Sequence, residues 1–187
     1  MIRRPKFVPL WIFFFLCIVL NGTIVYGETP VSGNIMTDTT WTKGNSPYIV
    51  TGTVQVYPDI TLTIEPGVVI KFNQGAGLKI GGKLIAQGQP SDLIVFTEVS
   101  QSPTTEDFAD KIEFTPPCVS VQFDENGNYL NGSILENCKL DFSEKNFGFN
   151  YNVVQRSGSC CVSINKCVLS YTLLSLYGNV QSQVSVR

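Results

Sequence analysis

Three groups of residues have the types and spacing to do chemistry. Asp124-Glu125-Asn126-Gly127-Asn128 sets oxygen ligands at alternate positions, as a calcium loop begins. Its glycine stands fourth instead of sixth, and the twelfth position is Leu135 instead of glutamate, so the stretch fails as an EF-hand and reads as turn chemistry. Phe147, Phe149 and Tyr151 alternate with Gly148, Asn150 and Asn152. On a strand the three rings share one face. Facing out, they form a stacking platform for a sugar with asparagines near its hydroxyls; facing in, they are core, the commoner use of aromatic rings. They are the best ligand-binding candidates in the chain.

The third group is the cysteines. Cys138 and Cys167 lie in two similar segments and are the disulfide candidates, with burial as small apolar side chains the alternative. Cys160 and Cys161 point to opposite faces of any strand they share. Glu106, Asp107 and Asp110 form a small acidic group that reads as a solvated loop. The chain has no histidine, so the commonest general base and a common metal ligand are missing. No metal site and no cofactor are expected.

The elements that must position these residues begin after a leader. Arg3, Arg4 and Lys6 precede a fourteen-residue apolar run from Phe7 to Leu20, and Val25-Tyr26-Gly27 offers a small residue at the cleavage point. This is the layout of a signal peptide over 1–27. The run is short of the roughly 20 residues of a membrane span, although an uncleaved membrane anchor remains the alternative. Cleavage leaves ten basic against fifteen acidic residues and five cysteines, and no long basic run, so nucleic acid is not an expected partner. A secreted or cell-surface protein follows, with Asn131-Gly132-Ser133 as a sequon for N-glycosylation at Asn131 where the source cell glycosylates.

The rest of the chain is dominated by short alternating strands. Val54 and Val56, then Leu62 and Ile64, then Val68, Ile70 and Phe72 are three such runs, with Glu65-Pro66-Gly67 as a break. The order returns in Leu78 and Ile80, Leu84 and Ala86, and Ile94 and Phe96, with Ile70 matched to Ile94. Residues 97–117 are polar, acidic and proline-containing and read as a loop insertion, after which the core pattern resumes at Cys118–Phe123. A second repeat aligns 135–142 with 164–171, so that Cys138 matches Cys167. Three strands recurring at a period in the low twenties predict an all-β right-handed parallel β-helix, a solenoid of about five rungs over 48–187, with 28–47 as an N-terminal cap segment.

The stretches at 37–72, 78–88 and 93–97 resemble the opening of secreted parallel β-helix proteins with the pectin-lyase-like fold, and SILENCKLDF (133–142) resembles their later repeats. The resemblance implies architecture more than activity, because the fold carries lyases, hydrolases and adhesins. It implies that hydrolases would show clustered aspartates with a histidine and a basic pair, and lyases acidic calcium ligands with a catalytic Arg or Lys. Here there is no histidine and no adjacent Asp-Asp, and outside the leader the arginines are Arg156 and Arg187, so no catalytic residue carries over. The reading is a non-catalytic secreted module, adhesive or carbohydrate-contacting, with a polysaccharide or cell-surface glycan as partner. Its alternatives are a polysaccharide-active, pectate-lyase-like enzyme and a truncated paralogue without independent activity. Self-association is expected through an uncapped C-terminal rung around Val180–Val186.

Overall fold

The structure is a computed structural model and describes residues 27–99, 111–142, 154–156, 162–170 and 174–176, with backbone alone for 154–156, 169–170 and 174–176. The chain passes through it in successive groups of strands. The first group is β1 (Thr29–Ile35) and β2 (Thr39–Trp41), followed by one 3-10 turn at Lys43–Asn45. The second is β3 (Tyr48–Val56) and β4 (Thr61–Ile64). The third is β5 (Val69–Phe72), β6 (Gly77–Ile80) and β7 (Lys83–Gln87). Next come β8 (Ile94–Glu98) and β9 (Ile112–Phe114), a hairpin of β10 (Gln122–Phe123) and β11 (Tyr129–Asn131), and β12 (Ser133–Glu136). The last described groups are β13 (Cys138–Asp141), β14 (Val154–Arg156) and β15 (Val162–Asn165), then β16 (Val168–Ser170) and β17 (Leu174–Leu176).

The strands pair between groups, and the pairing is parallel throughout the two large sheets. One sheet runs β2–β4–β7–β12–β15. The other branches at β3, whose first residues pair with β5 and whose last pair with β6; the arms continue as β5–β8–β13–β16 and β6–β9–β14–β17. The protein is therefore all-β, with parallel strands in curled sheets. The segment Ile60–Phe72 is not a hairpin: β4 and β5 belong to different sheets, and Glu65-Pro66-Gly67 is the bend between them.

Period-2 alternation explains the core. Inward positions of paired strands fall in columns, such as Tyr48, Ile70, Phe96 and Leu140, or Trp41, Ile64, Ala86, Leu135 and Ile164. Ile70, Phe96, Ala86, Leu135 and Leu140 are wholly buried. Each large side chain removed from water contributes about 1.5–3 kcal/mol. Thr61, Thr63 and Lys71 keep partial exposure on the opposite face, as alternation requires.

Four details differ from the sequence reading. Ile70 pairs with Phe96, not Ile94, because the turn at Gln89–Asp92, closed by reciprocal backbone bonds of 3.2 and 2.9 Å, takes up two more residues. An even shift preserves which face is inward. The expected loop insertion at 97–117 contains the end of β8 and all of β9, in which Ile112 pairs with Leu78. Its three residues, set among acids and prolines, are too few to show an alternation. Cys118 packs half-buried against the core, but 119–123 do not resume it: their side chains are exposed or half-buried, and they lead into the hairpin. Finally, the cap segment 28–47 already carries paired strands, because β1 lies parallel to β3 and β2 to β4. Among the described residues β1 has no strand on its other edge, and that edge is blunted by Pro30, by Gly33 at φ 87° and by a register shift between Val31 and Gly33. Behind it Trp41 and Tyr48 stack at 4.8 Å, and the Tyr48 hydroxyl accepts from Thr42 N at 2.8 Å.

Candidate functional site

The β10–β11 hairpin stands apart from the large sheets and carries the most exposed aromatic side chain among those described. Its turn is built by Asp124. Oδ1 accepts from the N–H groups of Asn126 (2.9 Å) and Asn128 (2.7 Å), Oδ2 accepts from Asn128 Nδ2 (2.8 Å), and Gly127 takes φ 82°. The Asn128 side chain, then the two backbone donors, hold the Asp124 carboxyl below its ordinary value. The oxygens that could have begun a calcium loop are thus spent on the turn.

The turn sets Phe123 opposite Tyr129 and Gln122 opposite Asn131. Phe123 and Tyr129 meet edge to face with ring centroids 6.4 Å apart. Phe123 is 46% exposed and Leu130, next to Tyr129 on β11, is 61% exposed. The Tyr129 hydroxyl donates to Gly132 O at 2.6 Å, and partial burial pushes it up from its usual value. Asn131 stands two residues beyond Tyr129 on β11, across a shift in the hairpin register between Gln122 and Phe123. Its Oδ1 accepts from Lys83 Nζ of β7 at 3.3 Å. The result is an aromatic pair with one well-exposed ring, on a short hairpin that also carries Gln122 and Asn131; such a ring can stack on a sugar. By sequence pattern Phe123 belongs to an alternating core run and 124–132 is turn alone. A turn of type Asp-x-Asn-Gly between Val121-Gln122-Phe123 and Tyr129-Leu130 is itself a hairpin signal and was the clue to this surface.

Phe147, Phe149 and Tyr151, the platform expected from sequence, lie outside the described residues, as do Glu106, Asp107 and Asp110. Arg156 is the last residue of β14, in register with Phe114 and Leu176.

Cys138 and Cys167, the disulfide candidates, are buried free thiols in the structure. They occupy matching positions of strands paired at the same register on either side, Glu136 with Asn165 and Lys139 with Val168. The two thiols are thus neighbours across one step between paired strands, and neither is in a disulfide. Each sulfur instead lies near carbonyls: Ala86 and Glu136 at 3.4 Å for Cys138, Leu135 at 3.5 Å and Asn165 at 3.3 Å for Cys167. The hydrogen bond between the two thiols raises Cys138, reinforced by burial, and lowers Cys167. Cys118, by contrast, is disulfide-bonded, to a partner outside the described residues.

The remaining charged groups build bends and ladders. Lys43 N donates to Glu65 Oε2 at 2.9 Å, while its ammonium holds both oxygens of Asp92. Glu136 accepts from Gln87 below, and from Asn165 and Lys166 above. Among the described residues no cluster of three or more His, Cys, Asp or Glu could hold a metal ion. A shallow cavity of about 320 Å³ opens at the β1–β2 end, lined by Val31, Ile35, Trp41 and Val54 with Pro30, Ser32 and Thr39.

Against known proteins, a 72-residue stretch, 38% of this chain, is 43% identical to part of Protein bark beetle of Drosophila melanogaster. The match spans 2% of that protein's length. No protein-family model and no solved structure matches the chain.

Proposed function

We propose that this chain is a secreted, non-catalytic, carbohydrate-contacting module on a right-handed parallel β-helix of the pectin-lyase-like kind. The pairing of each strand with its counterpart one group later, and the columns of stacked inward side chains, support that architecture. The observation that carries the function is the β10–β11 hairpin, which presents the Phe123–Tyr129 pair beside Gln122 and Asn131 on a scaffold whose inward side chains are spent on packing. Three of the described acids are engaged structurally: Asp124 in a turn, Asp92 with Lys43, and Glu136 in a polar column.

The test is binding to a glycan array by protein made in the periplasm of non-glycosylating cells. Phe123→Ser is expected to abolish bound spots while leaving the β-sheet circular dichroism unchanged. An unaltered binding pattern in that variant rejects the sugar-contacting hairpin.

A further inference from the structure

The Asn131 side chain has a particular arrangement. Its Oδ1 is held by Lys83 Nζ, which fixes the amide and leaves Nδ2, the atom that N-glycosylation modifies, free of that contact. Two residues earlier on β11 stands Tyr129, with Phe123 packed against it. The sequon's third residue behaves differently: Ser133 is buried, and its Oγ accepts from Leu84 N at 3.1 Å, filling a gap in the β7–β12 ladder. A hydroxyl locked there is closed to an enzyme, so the sequon can be read only before β12 docks on β7. The hairpin lies outside both large sheets, so a group attached to β11 does not obstruct that docking.

We infer that Asn131 carries an N-linked glycan and that its first sugar packs on the Phe123–Tyr129 pair, so that the sugar held by this face is the chain's own. The inference rests on the proposed secretion and sugar-contacting hairpin. In the transfer, Nδ2 bonds to C1 of an oligosaccharide carried on a lipid diphosphate. The C1–O bond to the diphosphate breaks, the lipid diphosphate leaves with the bonding electrons, and the amide proton passes to the transferase's base. A pyranose ring seated on the pair covers apolar surface that is 46% exposed at Phe123 and gains the usual stacking on an aromatic face.

The full chain is expressed in glycosylating cells, alongside the same chain with residues 1–27 exchanged for a leader of proven function. Intact mass is measured before and after enzymatic removal of N-glycans. One glycan is expected, lost in Asn131→Gln and kept in Ser133→Thr, which retains the sequon hydroxyl. On the glycosylated protein, nuclear Overhauser contacts are expected from the first sugar to the Phe123 and Tyr129 rings, lost in Phe123→Ser. A leader-exchanged protein secreted without glycan at Asn131 overturns the inference, and so does a glycan with no contact to either ring. Glycosylation of the leader-exchanged chain alone upholds the inference and rejects secretion by the native leader.

Discussion

Gly67 and Asp92 share one space. A Cβ built on Gly67 would lie 2.3 Å from Asp92 Oδ1, and Gly67 N donates to Asp92 O at 3.1 Å. The residue also has φ 77°, which L side chains rarely adopt. The bend after β4 is thus built around the carboxylate of the next bend, which Lys43 of the preceding one holds in turn.

Gly67→Ala is expected to destabilise the protein by about 1–3 kcal/mol from backbone strain alone, with a further loss from displaced Asp92. In urea unfolding, combining it with Asp92→Ala should recover the steric part and leave the backbone part. A single variant within error of the parent would show that the bend does not need glycine.

Phe96→Ala is expected to cost about 3–5 kcal/mol, because the residue is wholly buried between Ile70 and Leu140 and its loss leaves a cavity. Val95→Ala, next along the strand on the half-buried outer face, should cost well under half of that. Equal losses, measured by denaturant midpoints, would contradict the assignment of faces.

The sequence made the scaffold legible where alternation persisted over several residues. The inward sets of β3 to β7 could be read directly, and the matches of Val54 with Leu78, Leu62 with Leu84 and Leu135 with Ile164 are those the strands make. It failed where a turn changed length without changing parity, as at Ile70, because the face pattern is blind to an even slip. It also failed for β9, where Ile112 and Phe114 are just two apolar positions amid polar chain. The candidate site was less legible for a different reason. An exposed Phe123 and a buried phenylalanine look alike in sequence, and only the hairpin pairing separates them.

Glu136 should matter through its column. Removing its carboxylate in Glu136→Ala strips an acceptor from Gln87, Asn165 and Lys166, and a loss of about 1 kcal/mol is expected for a partly exposed hydrogen-bonded ion. Glu136→Gln keeps one acceptor oxygen and should lose less, with stability that no longer depends on salt at this position. Thermal melts at low and high ionic strength should separate the parent from both variants, and the difference between the variants should not vary with salt.

The cysteines predict a labelling pattern. Without reductant, folded protein should leave Cys138 and Cys167 unalkylated, because both are buried. In denaturant both should react, while Cys118 stays protected until reductant is added. Peptide mass mapping that finds Cys138 linked to Cys167 would overturn the free pair.

Asp124 makes the hairpin pH-sensitive. Its carboxyl titrates below the ordinary value of 3.8 because Asn128 and Asn126 donate to the ionised form. A group depressed in the folded state stabilises fully above its unfolded value, and the contribution disappears as pH falls through the depressed one. The hairpin should therefore be intact at neutral pH and begin to loosen only under acid conditions below pH 3.8. Amide proton shifts of Asn126 and Asn128, followed during acid titration, should move with a midpoint under that value and stay flat in Asp124→Asn. A midpoint at or above it would mean that the carboxylate does not hold the turn, and the placement of Phe123 against Tyr129 would lose its support.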